Sequence, residues 1–161
     1  MKLLTLHVAI SLIAIFTGLI VVAGLLNAKR LDRWTAVFLL TTLATSLTGF
    51  LFPFNGITPA IIVGVISLVL LAPAIFARYG RGMAGAWRWI YLVTAMTALY
   101  LNVFVLIVQL FQKVPALKEL APTQTEPAFL VTQLLALAIF VVLTIMATIK
   151  FHVSPVSSPV T

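Results

Sequence analysis

Five apolar runs, each close to the length that a lipid bilayer demands, constrain this chain more than any motif in it. They cover residues 3–27, 34–52, 57–77, 87–111 and 128–149. About 20 residues at 1.5 Å per residue cross a hydrocarbon core of about 30 Å. Lipid gives a backbone N–H or C=O no partner, so a spanning segment is a helix or a strand of a closed barrel. These runs lack the two-residue alternation of barrel strands. The expectation is an all-α, polytopic transmembrane bundle of five helices over residues 1–150, with no internal repeat and no second domain. A short disordered tail follows over 151–161, with Pro155, Pro159 and three serines. Composition agrees, because 8% of the residues are charged against about a quarter in soluble domains.

The breaks between the runs carry the charges and set the orientation. Lys29, Arg30, Asp32 and Arg33 lie in the first, Pro53, Asn55 and Gly56 make a tight turn in the second, and Arg78, Gly80, Arg81, Gly82 and Gly85 fill the third. With five crossings, one side holds Lys29, Arg30, Arg33, Arg78, Arg81, Arg88 and Lys150, and the other only Lys2, Lys113 and Lys118. The excess of basic residues on cytoplasmic loops places the first group inside, the N-terminus outside and the C-terminus in the cytoplasm. Trp34, Trp87 and Trp89 then fall at the inner headgroup boundary. The first run is longer than the apolar region of a signal peptide, so a retained helix is expected. The net charge of +7 is spread over loops, which suits anchoring at anionic lipid and not nucleic-acid binding. Together these features read as an integral plasma (inner) membrane protein of bacterial type whose first partner is the lipid bilayer.

Several chemistries are disfavoured. Without cysteine there is no disulfide, thiolate metal site or Cys nucleophile. Asp32, Glu119 and Glu126 all lie in loops and no charge sits at mid-membrane, which argues against a carboxylate-driven pump or a voltage sensor. Ser46 and Ser67 lack a nucleophile-elbow setting, and no carboxylate shares a span with His7. His152 lies beyond the last span, across the membrane from His7. No catalytic residue and no metal ligand is therefore assigned.

Neutral polar residues inside the runs are the informative ones, because each needs a partner in hydrocarbon. His7, Thr48, Gln109 and Gln133 lie about 4–8 Å below the outer surface when residues are counted inward at 1.5 Å each. Ser11, Thr41, Thr42, Thr45 and Asn102 form a layer nearer the middle. Thr94, Ala98, Asn102, Val105 and Gln109 follow one helical stripe, as do His7, Ser11, Ala14 and Gly18. Such stripes join helices through hydrogen bonds of about 0.6–2 kcal/mol, or they line an outward-opening pocket. The candidate binding layer is His7, Ser11, Thr45, Thr48, Asn102, Gln109 and Gln133. His7 is expected to bond Gln133 or Gln109, and His7, Thr48, Gln109 and Gln133 are expected to lie around one space that opens outward beneath the segment 113–127, with at least three of them facing the bundle. Pro73 should kink the third helix. Between Pro115 and Pro122, Leu117 to Leu120 could form an interfacial helical turn over the outer polar layer, the alternative being a plain connector.

The functional expectation is a small non-enzymatic membrane protein, acting as a homo-oligomer (parallel, from the charge bias) or as an accessory subunit of a larger membrane complex. The alternatives are a small channel or carrier for a neutral or apolar solute, and a redox subunit holding quinone or haem near His7 in the outer leaflet. No cofactor is named by the residues themselves.

Overall fold

The computed structural model describes residues 2–53 and 59–152, and among these every regular element is helical. The order is α1 (Lys2–Leu26), α2 (Asp32–Gly49), α3 (Pro59–Ile75), α4 (Ala86–Lys113), the short α5 (Pro115–Leu120) and α6 (Pro127–Lys150). The expected turn at Asn55 and Gly56 lies outside the described residues.

Four helices, not the expected five, are long and apolar enough by themselves to cross a membrane: α1, α3 with its extension to Gly80, α4 and α6. The exception is α2. Its 18 residues reach only about 27 Å, its first turn holds Asp32 and Arg33, and it carries Thr35, Thr41, Thr42, Thr45, Ser46 and Thr48. Part of that polarity is cancelled locally. Thr41, Ser46 and Thr48 donate to the carbonyls of Val37, Thr42 and Ala44, each four residues back, at 2.7, 3.0 and 2.7 Å.

α4 is the hub and touches every other helix. α1 packs along α2, α2 along α3, and α6 lies against α4 and α1. Close approach is allowed at Gly18, where an added Cβ would sit 2.5 Å from Leu99 Cδ1 and 3.0 Å from Phe38. The largest apolar cluster fills the end of the bundle that carries most of the basic residues. There Val22 and Leu25 of α1, Phe38 of α2, Leu71 and Ala74 of α3, Tyr91, Leu92 and Leu99 of α4, and Ala147 of α6 are all buried.

The same end is tied by two arginines. Pro73 lies within α3 and leaves the Val69 carbonyl without its usual donor. The helix then continues into a π turn over Phe76–Gly80, in which the Arg81 N–H bonds the Phe76 carbonyl, five residues back, at 3.0 Å. One extra residue in a turn rotates every later side chain by about 100°. Arg78, on this turn, is only 2% exposed. It donates to the Arg30 carbonyl at 3.0 Å and to the Asp32 carboxylate, and its guanidinium lies 5.2 Å from the Tyr91 ring. Arg88 donates to the Phe151 carbonyl at 2.6 Å. Phe151 is buried, so the first residue of the expected tail belongs to the core; residues 153–161 lie outside the described residues.

At the opposite end the expected helical turn is α5. Leu117 packs with Phe111, Ala121 and Phe129, which seats α5 over the α4–α6 seam, not over the polar layer of the first four helices.

Candidate functional site

Where the basic end is filled, the other end is hollow. A cavity of about 600 Å³ lies between α1, α2, α3 and α4. α1 contributes Leu4, His7, Val8, Ser11, Leu12 and Ile15, one face of its first four turns. Across from it, α4 presents Asn102, Val105, Leu106, Gln109, Leu110 and Lys113. Thr45, Ser46 and Gly49 of α2, followed by Phe50 and Phe52, close one side, and Ala60, Ile61, Val63, Gly64 and Ser67 of α3 close the other. Gly64 leaves room for the Phe50 ring, whose Cζ would stand 3.1 Å from a Cβ at that position. The walls are mostly aliphatic and aromatic, with a few polar groups among them. That is the usual make-up of small-molecule sites, which run from about 300 to 1,000 Å³.

No family model, curated protein or solved structure matches this chain. The chemistry of the cavity therefore rests on its own residues.

Five of the seven residues singled out from the sequence, His7, Ser11, Thr45, Asn102 and Gln109, line this one space. Thr48 stands behind His7, with its Oγ1 2.8 Å from the ring Nδ1. Gln133 is elsewhere. It is buried between α6 and α4 and donates to the Phe104 carbonyl at 3.2 Å, and its Oε1 is enclosed without a partner. Of the four residues expected around one outer space, His7 and Gln109 line it, Thr48 reaches it only through His7, and Gln133 lies at another seam. The partner of His7 is Thr48, not Gln109 or Gln133. Depth along each helix is readable from the sequence, but Gln133 faces a different seam because packing on α4 sets the rotation of α6.

The hydrogen bonds assign a tautomer to His7. The Thr48 hydroxyl has one proton, and its short contact with the Ala44 carbonyl, at 2.7 Å, takes it. Thr48 Oγ1 is then an acceptor, so Nδ1 of His7 carries the hydrogen that it receives. In the neutral ring this leaves Nε2 as a bare lone pair, and Nε2 has no hydrogen-bond partner among the described residues. The ring is held on its other flank by the edge of Phe52, with centroids 5.3 Å apart.

Deeper in, the Asn102 amide donates to Thr42 Oγ1 at 3.2 Å, which turns this residue into the bundle as its stripe implies. Ser11 donates to the His7 carbonyl at 2.7 Å, so its polarity is spent on its own helix. Thr45 Oγ1 is enclosed without a partner. Sequence reasoning missed the rim residue Lys113 and the wall residues Phe50, Phe52 and Gly64. Lys113 had a signal, since the stripe from Asn102 through Gln109 reaches it in one more step of four.

No acidic side chain lines the cavity. Both ion pairs among the described residues involve Asp32, at the opposite end of the bundle. No group of three or more metal-ligating side chains occurs among the described residues. The arrangement offers a shaped apolar volume with a few fixed hydrogen-bonding groups.

Proposed function

We propose that this chain is a non-enzymatic integral membrane protein that holds an apolar or amphipathic small molecule inside its own helical bundle. The observation that carries the proposal is the cavity of about 600 Å³ between α1, α2, α3 and α4, with apolar walls and polar groups at His7, Asn102, Gln109 and Lys113. Lipid-facing packing does not require such a space, and interiors otherwise close to the density of organic crystals. Holding a molecule ranks ahead of an accessory-subunit or oligomer role because the cavity belongs to a single copy. The outer face of α6, with Leu130, Leu134, Val141, Ile145 and Ile149 exposed, asks for nothing beyond lipid.

The proposal takes α2 as a fifth crossing. α1 ends at the basic end, beside Lys29 and Arg30, whereas α3 begins near the cavity, with Gly64 against Phe50. The chain has to travel between the two ends, and α2 is the segment that does so. Five crossings put the basic end in the cytoplasm and the cavity in the outer leaflet of a bacterial inner membrane.

Photolabelling tests the holding role. In phosphatidylcholine vesicles a photoactivatable dodecanol should label peptides containing residues 4–15 and 102–113. Leu106→Trp, which puts an indole into the space, should reduce that labelling several-fold. Labelling confined to lipid-facing positions such as Leu134 and Val141, unchanged by Leu106→Trp, would remove the proposal.

A further inference from the structure

Resting on the holding role just proposed, we infer that the occupant is a single-chain amphiphile with an acidic head, a fatty acid being the simplest, seated with its head at Lys113 and its chain running toward Asn102.

Lys113 is the last residue of α4 and lines the cavity. It takes part in neither of the two ion pairs among the described residues. Lys113 is exposed at the mouth, and with no carboxylate among the lining residues its charge has no acidic partner within the cavity. Cationic heads are disfavoured there, and an anionic head would complete the site.

The neighbouring groups suit an acid more closely than a simple anion. Nε2 of neutral His7 offers a lone pair, and the Gln109 amide makes no hydrogen bond among the described residues. A carboxyl group presents an O–H to an acceptor and an oxygen to donors, and once ionised it presents two oxygens to donors. Protonated, it can donate to the lone-pair nitrogen and accept from the ammonium; ionised, it pairs with the ammonium and accepts from the Gln109 amide, whereas an alcohol has no charge for the ammonium. Below the head the walls offer only apolar contact until Ser11, Thr45 and Asn102 are reached. From Lys113 to Asn102 the lining extends over eleven residues of α4, about 16 Å at 1.5 Å per residue, a length that a medium-length acyl chain would span.

A paired photolabelling experiment tests this on the full chain in phosphatidylcholine vesicles. Two probes with the same diazirine-bearing twelve-carbon tail are compared, one ending in a carboxyl and one in a hydroxyl. The measurement is made near pH 9, where the carboxyl of the probe is ionised. The acid should label residues 102–113 about tenfold more efficiently than the alcohol, the scale of one charge-assisted hydrogen bond. Lys113→Gln should erase that preference while leaving labelling by the alcohol in place, and Lys113→Arg should restore it. Equal labelling by the two probes, or a preference that survives Lys113→Gln, overturns the acidic head and leaves the holding role standing. If neither probe reaches the cavity residues, both fail together.

Discussion

A single hydroxyl decides what His7 can do. With the Thr48 proton assigned to the Ala44 carbonyl, Thr48 accepts from His7, which assigns the imidazole the tautomer that leaves Nε2 available. Thr48→Val keeps the shape but strands the Nδ1–H. We expect a loss of about 1–2 kcal/mol in stability, read from thermal unfolding followed by tryptophan fluorescence, with Thr48→Ser close to the parent protein. A parent-like melting temperature in Thr48→Val would show that the bond contributes nothing. Gly85 offers a second test at this scale. Its φ of 55° and ψ of −126° lie where L residues are rarely found, and a Cβ there would meet nothing within 4 Å. Gly85→Ala should therefore cost about 1–3 kcal/mol through backbone strain alone. An unchanged unfolding midpoint would refute that reading. Much of the candidate site was visible at this level. Depth could be counted residue by residue, which located His7, Ser11, Thr45, Asn102 and Gln109. Rotation could not be counted, since which face of α6 meets α4 depends on side-chain packing, and Gln133 was misplaced for that reason.

Whole helices were legible in position more than in character. The apolar runs foretold α1, α3, α4 and α6 to within a few residues, and Pro115 with Pro122 marked α5. What no periodicity reveals is the π turn after Pro73, because its five-residue hydrogen bond leaves no repeat in the sequence. That turn carries Arg78 inward to Asp32 and the Arg30 carbonyl, joining the end of α3 to the start of α2. Arg78 is buried while the Asp32 side chain is 69% exposed, so the two partners should respond unequally. Asp32→Asn leaves Arg78 its carbonyl and the Tyr91 ring and should cost about 1 kcal/mol or less. Arg78→Gln removes the buried member from every contact and should cost about 3 kcal/mol. Chemical denaturation in mild detergent would compare them, and equal losses would mean that the ion pair, not the buried guanidinium, holds the two helices.

The molecule as a whole has a filled end and a hollow one, and its orientation can be tested directly because the chain has no cysteine of its own. A maleimide that does not cross membranes should label Lys118→Cys in intact cells, and Gly82→Cys only after permeabilisation. The reverse pattern would invert the proposed topology. The hollow end also divides the work between the two halves of the bundle: the basic end is held by its own buried side chains, whereas around the space of about 600 Å³ a seated chain would supply contacts that the four helices do not make with one another.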